Sequence, residues 1–421
     1  MNKKKIFEKV SPLTIYLIVS LTGIILFFCA AYFKGSPVFK WLAMENNSDW
    51  TMSDYFRHLL FARDRATVYE HGDNACFPPL AYVFYYVYGK ISTAGEVVNN
   101  FNVLSQMPYQ ILMYVLYSVV SVLLLVYAIE ELPIKNYQRK LLAFSVILST
   151  PLFMGALERG NMTLIVIALL LLAMLWKDSE SAVKREAALI LIAVAAGLKI
   201  YPAFFGLLYI KEKRWKEAAR LVVYGVLFFF GPFAFFGGVS GFKAFWSVIS
   251  SMLGGNPVER VQFFTGILAF VGIQGKTAQI LNYVFLIVLF LMVLFTKSNI
   301  RKMAFLAAAM AFFPNAAFRY TLLYFLMPLF VLCMEHKKLN FDSVMNALFL
   351  GYIFSIPTIY GFLTDFQLAF SENSYSYTCV ERNIYTAAWL YLLYQVIMEV
   401  VFWGKTFIQK RKSVQLNTEN I

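Results

Sequence analysis

Charge is scarce in this chain. Only 14% of its 421 residues are Asp, Glu, Lys or Arg, against about 25% in an average soluble domain. That shortage excludes an ordinary water-soluble enzyme, a disordered chain and a coiled coil. Three histidines and four cysteines (Cys29, Cys76, Cys333, Cys379) leave no metal-ligand spacing, so no zinc site is expected. Acids are the minority sign: 24 against 37 basic residues, a net charge of +13. No basic run is interleaved with stacking aromatics, so the excess does not point to nucleic acid. It suits the cytoplasmic loops of a membrane protein. No internal repeat is visible, and the only low-complexity stretch is the polar tail.

What the chain has instead is apolar surface. The hydrophobic set makes up 60% of it, aromatics 18%, and the mean hydropathy is +0.63. This composition predicts an all-α polytopic membrane protein, because only a helix or a closed barrel satisfies its backbone within lipid. The first apolar stretch, Leu13 to Phe33, follows Lys3, Lys4 and Lys5. It exceeds the ~7–15-residue core of a signal peptide, so it reads as an uncleaved span with a cytoplasmic N-terminus. Later runs fall near 108–131, 141–157, 162–176, 187–199, 201–210, 217–237, 278–296, 303–314, 318–334, 342–364 and 384–404, which makes twelve crossings. Basic clusters at 135–140, 177–185, 211–220, 297–302 and 337–338, and in the 405–412 tail, then all lie inside. That arrangement places 24 of the 37 basic residues inside and 13 outside. Counting 78–90 as a crossing would invert the later loops. It is therefore read as an interfacial or re-entrant helix starting at Pro78-Pro79. The domain plan is one transmembrane unit, 1–404, with a long outer loop, 34–107, and a cytoplasmic tail, 405–421.

Polar residues of chemical interest gather on the outer face. Residues 52–65 put Tyr55, Leu59 and Ala62 on one face, the pattern of an interfacial amphipathic helix. Ser53 is placed to cap it and Asp54 to sit in its first turn, where the helix dipole favours a carboxylate. His58 lies one turn on. Asp49 and Asp73 are further acids in the same loop, whereas Asp64 between Arg63 and Arg65 reads as a solvated face. Arg159, Lys199, Arg260 and Arg319 are outer-face cations. Two readings of Lys199 and Arg319 stay open: snorkelling to the interface, or a shared pocket for an anion. For Arg159 an ion pair with Glu158 competes with the same pocket. Cys76 and Cys379 both fall outside, so a disulfide between them is a possibility in an oxidising compartment. Cys29 and Cys333 lie in spans.

Three stretches carry a family resemblance. They are Asp54…Tyr69…Phe77-Pro78-Pro79-Leu80, the turn Arg159-Gly160-Asn161-Met162-Thr163, and Gly197-Leu198-Lys199-Ile200-Tyr201-Pro202 followed by Lys213-Arg214-Trp215. In this order they resemble a GT-C-fold glycosyltransferase of family 87, the polyprenyl-phosphate-mannose-dependent α-mannosyltransferase type. The resemblance implies a GT-C-like bundle of about twelve transmembrane helices with interfacial helices in the first outer loop. It implies transfer of one sugar from a polyprenyl-phosphate donor to a hydroxyl of a lipid-linked or glycan acceptor, with inversion. A first-loop acid serves such enzymes as general base, and Asp54 matches it. The family often has Asp-x-x-x-Tyr there; this chain has His58 at the fourth place.

The implied chemistry assigns Lys199, Arg319, Arg159 and Arg260 to the donor phosphate, and His58, Asn161 and Tyr201 to sugar hydroxyls. The scheme requires no metal or other cofactor. The expected location is a bacterial plasma membrane with the site outside. Two other classes compete: a transporter or flippase, which expects two related halves meeting at mid-depth, and a polysaccharide polymerase or ligase, which expects a larger late outer loop.

Overall fold

The computed structural model describes residues 10–34, 52–70, 75–93, 107–254, 263–314, 319–335, 339–355 and 375–419. Among these residues every regular element is helical. In chain order the helices are α1 Pro12–Lys34, α2 Ser53–Arg63, α3 Pro79–Thr93, α4 Pro108–Glu130, α5 Asn136–Ser149, α6 Pro151–Arg159, α7 Thr163–Trp176 and α8 Ala182–Leu198. They continue with α9 Gly206–Lys211, α10 Trp215–Phe230, α11 Gly238–Gly254, α12 Phe264–Phe270, α13 Gly275–Phe295, α14 Asn299–Phe312, α15 Leu326–Glu335, α16 Phe341–Ser355 and α17 Tyr375–Glu419. Among the described residues, five helices are long and apolar enough to cross a membrane, or six if the bent pair α5–α6 is one span. The protein is thus polytopic.

The layering follows composition. α7 and α14 are apolar around most of their circumference, and such helices belong in a protein interior. Twelve of the fourteen residues of α7 are buried, as are all but Asn299 of α14. The outer helices instead leave a stripe uncovered. On α4 it runs through Leu112, Val115, Leu116, Val119 and Leu123, and on α13 through Ile280, Val284, Ile287 and Leu291. Their i, i+3, i+4, i+7 spacing is that of a face turned to lipid.

Several apolar runs break where the backbone demands it. The 141–157 run bends by 61° between α5 and α6, at Pro151, which has no N–H to continue the ladder. The runs 201–210 and 318–334 each open with a 3-10 segment, Tyr201–Phe205 and Arg319–Phe325. The 217–237 run ends in another, Gly231–Phe235, with Pro232 inside it. Gly197 lets α8 pack tightly: a Cβ there would lie 2.7 Å from the Phe228 carbonyl oxygen on α10 and 2.8 Å from Leu80 on α3.

The basic loops are tied down at one end of the bundle. Lys184 pairs with Glu131 at 2.7 Å, and the Trp176 indole N–H donates to the same carboxylate. Lys177 pairs with Glu212 at 2.7 Å. Arg301 bridges Asp342 at 3.2 Å and Glu399 at 3.4 Å, where Thr296 also donates to Glu399. Trp176 and Thr163 are the two ends of α7, roughly 20 Å apart at 1.5 Å per residue. The acid described next sits by the Thr163 end.

Candidate active site

α2 is the helix that presents the first-loop acid, and two expectations about it are corrected. Ser53 does not cap it. Met52 holds the N-cap position in the left-handed region, φ 55°, with no side-chain cap bond. The Met52 N–H donates to the Glu158 carbonyl at 3.1 Å, so α2 begins where α6 ends and satisfies one of α6's last carbonyls. Nor does α2 rest on lipid by one face. Ser53, Tyr55, Phe56, His58, Leu59, Phe61 and Ala62 are buried and no residue of the helix is exposed, because α3 packs along it. The apolar stripe is present as expected, but protein covers it.

Asp54 lies in the first turn, with its side chain 14% exposed. Three donors meet its carboxylate. Asn161 Nδ2 donates to Oδ2 at 2.6 Å, the Tyr320 hydroxyl donates to Oδ2 at 3.3 Å, and Arg159 Nη1 lies 3.5 Å from Oδ1. The orientation of the Asn161 amide follows from its other end. Its Oδ1 accepts from the Thr163 N–H at 3.0 Å and from Thr163 Oγ1 at 2.7 Å. A backbone N–H can only donate, so the NH2 end must face Asp54.

The turn carrying Arg159 and Asn161 is fixed by its glycine and by two tyrosines of α4. Gly160 has φ +65°, and a Cβ there would meet Tyr55 Cβ at 2.6 Å and Tyr114 Cε2 at 3.0 Å. Only glycine fits both the left-handed conformation and the space. Tyr114 donates to the Leu157 carbonyl and to the Glu158 carbonyl at 3.1 Å, and Tyr117 donates to the Asn161 carbonyl at 2.7 Å. Residues 114 and 117 share one face of α4, so one helix anchors the whole turn.

Lys199 follows α8 directly and is 8% exposed. Its ammonium lies 5.1 Å from the Tyr320 ring centroid and 5.2 Å from that of Phe77, a cation between two π faces. Phe77 in turn stacks on the His58 imidazole at 4.1 Å. His58 Nδ1 is hydrogen-bonded to the Tyr82 hydroxyl at 3.1 Å, so that nitrogen is engaged within the wall. Burial outweighs the attraction of Asp54 and pushes the imidazole down to about 3, which leaves it neutral.

The structure therefore joins five of the eight sequence-singled residues. Asp54, Arg159 and Asn161 touch directly; Lys199 and His58 are linked to them through Tyr320 and Phe77. Arg319 is buried beside Tyr320 in the 3-10 segment. Tyr201 sits two residues past Lys199 with its ring against Phe204 at 6.2 Å. Arg260, Asp49, Asp73 and the Cys379 side chain fall outside the described residues. Asp64 is exposed and accepts from the Ala66 N–H. Sequence reading did not assign Tyr320 a role; its adjacency to Arg319 was the available signal. Among the described residues no group of three or more His, Cys, Asp or Glu side chains converges. The arrangement is a carboxylate able to accept a proton, held by an amide, a phenol and a guanidinium, with an ammonium nearby able to meet an anion.

A family model described as glycosyltransferase family 87 matches residues 78–334. The matched segment contains Arg159, Asn161, Lys199, Tyr201 and Arg319, while Asp54 and His58 precede it. No curated protein matches the chain.

Proposed function

As a member of glycosyltransferase family 87, to which the chain belongs, this protein is a membrane glycosyltransferase, and we propose that Asp54 is its general base. In this reading a polyprenyl-phosphate donor supplies one sugar, mannose or a similar hexose or pentose. The acceptor is a hydroxyl of a lipid-linked or glycan molecule. Asp54 takes the hydroxyl proton as the oxygen attacks the anomeric carbon. The new O–C bond forms on the face opposite the breaking C–O bond, so configuration inverts. The electron pair of the broken bond leaves with the polyprenyl phosphate.

The charge that develops on that phosphate needs fixed cations in a water-poor site. Lys199 is the first candidate, as a point charge, with Arg319 and Arg159 as guanidinium partners and Arg260 as a fourth. Asn161, Tyr201 and His58 are assigned to sugar hydroxyls. For Asn161 and His58 this is a second task beside the bonds they already make.

The wider picture belongs to the same proposal. It comprises a GT-C-like bundle of about twelve crossings over 1–404, a cytoplasmic tail over 405–421, both termini inside, and the site on the outer face of a bacterial plasma membrane. The observation that carries the reading is the Asp54 carboxylate, held by Asn161 at 2.6 Å beside Arg159 and Tyr320. A transporter would place its polar residues at mid-depth between related halves. Here they sit by one end of α7, while ion pairs tie the other end.

The test is Asp54→Asn in purified full-length protein in lipid nanodiscs, supplied with a synthetic polyprenyl-phosphate sugar and acceptor. Transfer is expected to fall by about 10²–10⁴-fold with the fold intact. Full turnover would remove Asp54 from the mechanism. Uptake of substrate into liposomes without a glycosidic product would favour a transporter.

A further inference from the structure

Tyr320 touches both halves of the site. Its hydroxyl donates to Asp54 Oδ2 at 3.3 Å, and its ring faces the Lys199 ammonium at 5.1 Å. The ring is rigid, so whatever fixes the ammonium against its face also fixes the hydroxyl at its edge. The 3-10 segment that carries it is buried along its whole length, which limits the ring to small displacements. The hydroxyl contact is longer than the 2.5–3.0 Å usual for O–H···O bonds, so a small movement of the ring toward the acid would strengthen it. Asn161 occupies another direction on the same oxygen. The two donors together restrict the rotation of the carboxylate about its own axis.

Resting on the general-base reading above, we propose that Tyr320 is a positioning residue that couples donor occupancy at Lys199 to the orientation of Asp54. Phosphate engaged by the ammonium fixes the ammonium on the aromatic face. The phenol then holds Oδ2, and Oδ1, whose contact with Arg159 is the long one at 3.5 Å, receives the acceptor proton. Tyr320 keeps its own proton throughout, and no bond is made or broken on it.

The experiment compares Tyr320→Phe and Tyr320→Leu in full-length protein in nanodiscs, with a synthetic polyprenyl-phosphate sugar. Tyr320→Phe keeps the ring over Lys199 and removes the donor to Asp54. It is expected to lower kcat about tenfold with donor KM unchanged. It also moves the acid limb of the pH–rate profile upward, because a carboxylate that loses a donor binds its proton more tightly. Tyr320→Leu removes the π face as well, so donor KM rises several-fold in addition. In a Lys199→Met background the kcat loss from Tyr320→Phe is expected to shrink to about threefold or less, the signature of coupling.

A purely structural Tyr320 would depress both variants alike through a lower melting temperature and leave the acid limb in place; that result overturns the proposal. Asp54→Asn, measured alongside, separates the two levels. Wild-type turnover there defeats the general-base reading itself. Inactive Asp54→Asn together with wild-type kcat and acid limb in Tyr320→Phe defeats only the role of Tyr320.

Discussion

Replacing Asn161 by aspartate puts a second carboxylate where the amide now donates. The amide nitrogen is 2.6 Å from Asp54 Oδ2, and Thr163 holds the other end of the side chain through two donors. The substituted side chain is therefore constrained to aim an oxygen at Asp54. Two unit charges at 2.6 Å repel by about 6 kcal/mol at an effective dielectric constant of about 20. At about 1.4 kcal/mol per pH unit, this corresponds to roughly four to five units. The Arg159 guanidinium at 3.5 Å offsets roughly one to three of them. The pair then holds its last proton more tightly than Asp54 alone does, and the acid limb of the transfer rate moves up by about one to four pH units. The assay is the initial rate of sugar transfer in nanodiscs from about pH 5 to 9, with melting temperature recorded for each variant. Asn161→Ala serves as the comparison. It loses one charge-assisted hydrogen bond, about 1.5–3 kcal/mol, and so lowers the plateau by about 10–150-fold with a smaller displacement of the limb. If Asn161→Asp melts like wild type and its acid limb does not move, turnover does not depend on Asp54 being ionised, and the reasoning is refuted.

Two more expectations follow from the same neighbourhood. His58 titrates at about 3 in the folded chain and at about 6.5 when unfolded. Its contribution to stability is therefore complete above pH ~6.5 and is lost as pH falls toward 3. His58→Gln is expected to flatten the decline of melting temperature over that window while leaving the shape of the rate profile unchanged; a decline as steep as wild type would contradict the buried neutral imidazole. Gly160→Ala combines a left-handed φ of +65° with a Cβ 2.6 Å from Tyr55 Cβ. Strain and overpacking together cost about 2–5 kcal/mol, and an unchanged melting temperature would show that the turn yields without cost.

Much of the scaffold is legible in one dimension. Apolar run length and the scarcity of charge specify a polytopic helical membrane protein, since lipid tolerates no unpaired backbone. Pro79, Pro108 and Pro151 each open a helix, as their missing N–H allows. The basic clusters mark the loops that the structure draws into ion pairs at one end of α7. The Gly160-Asn161 turn is readable as a local need of the backbone.

The site is a different matter. Asp54 meets Arg159 across 105 positions, Asn161 across 107 and Tyr320 across 266. Periodicity tells which face of a helix is buried and never against which neighbour. So α2 looked like a lipid-surface helix until α3 covered it, and Tyr320 had no assigned role until packing set it between Asp54 and Lys199. Sequence alone decided that this chain lives in a membrane and where its proline-led helices start. Tertiary packing decided which carboxylate is held, by which donors, and next to which cation, because those contacts depend on distances that no local pattern encodes.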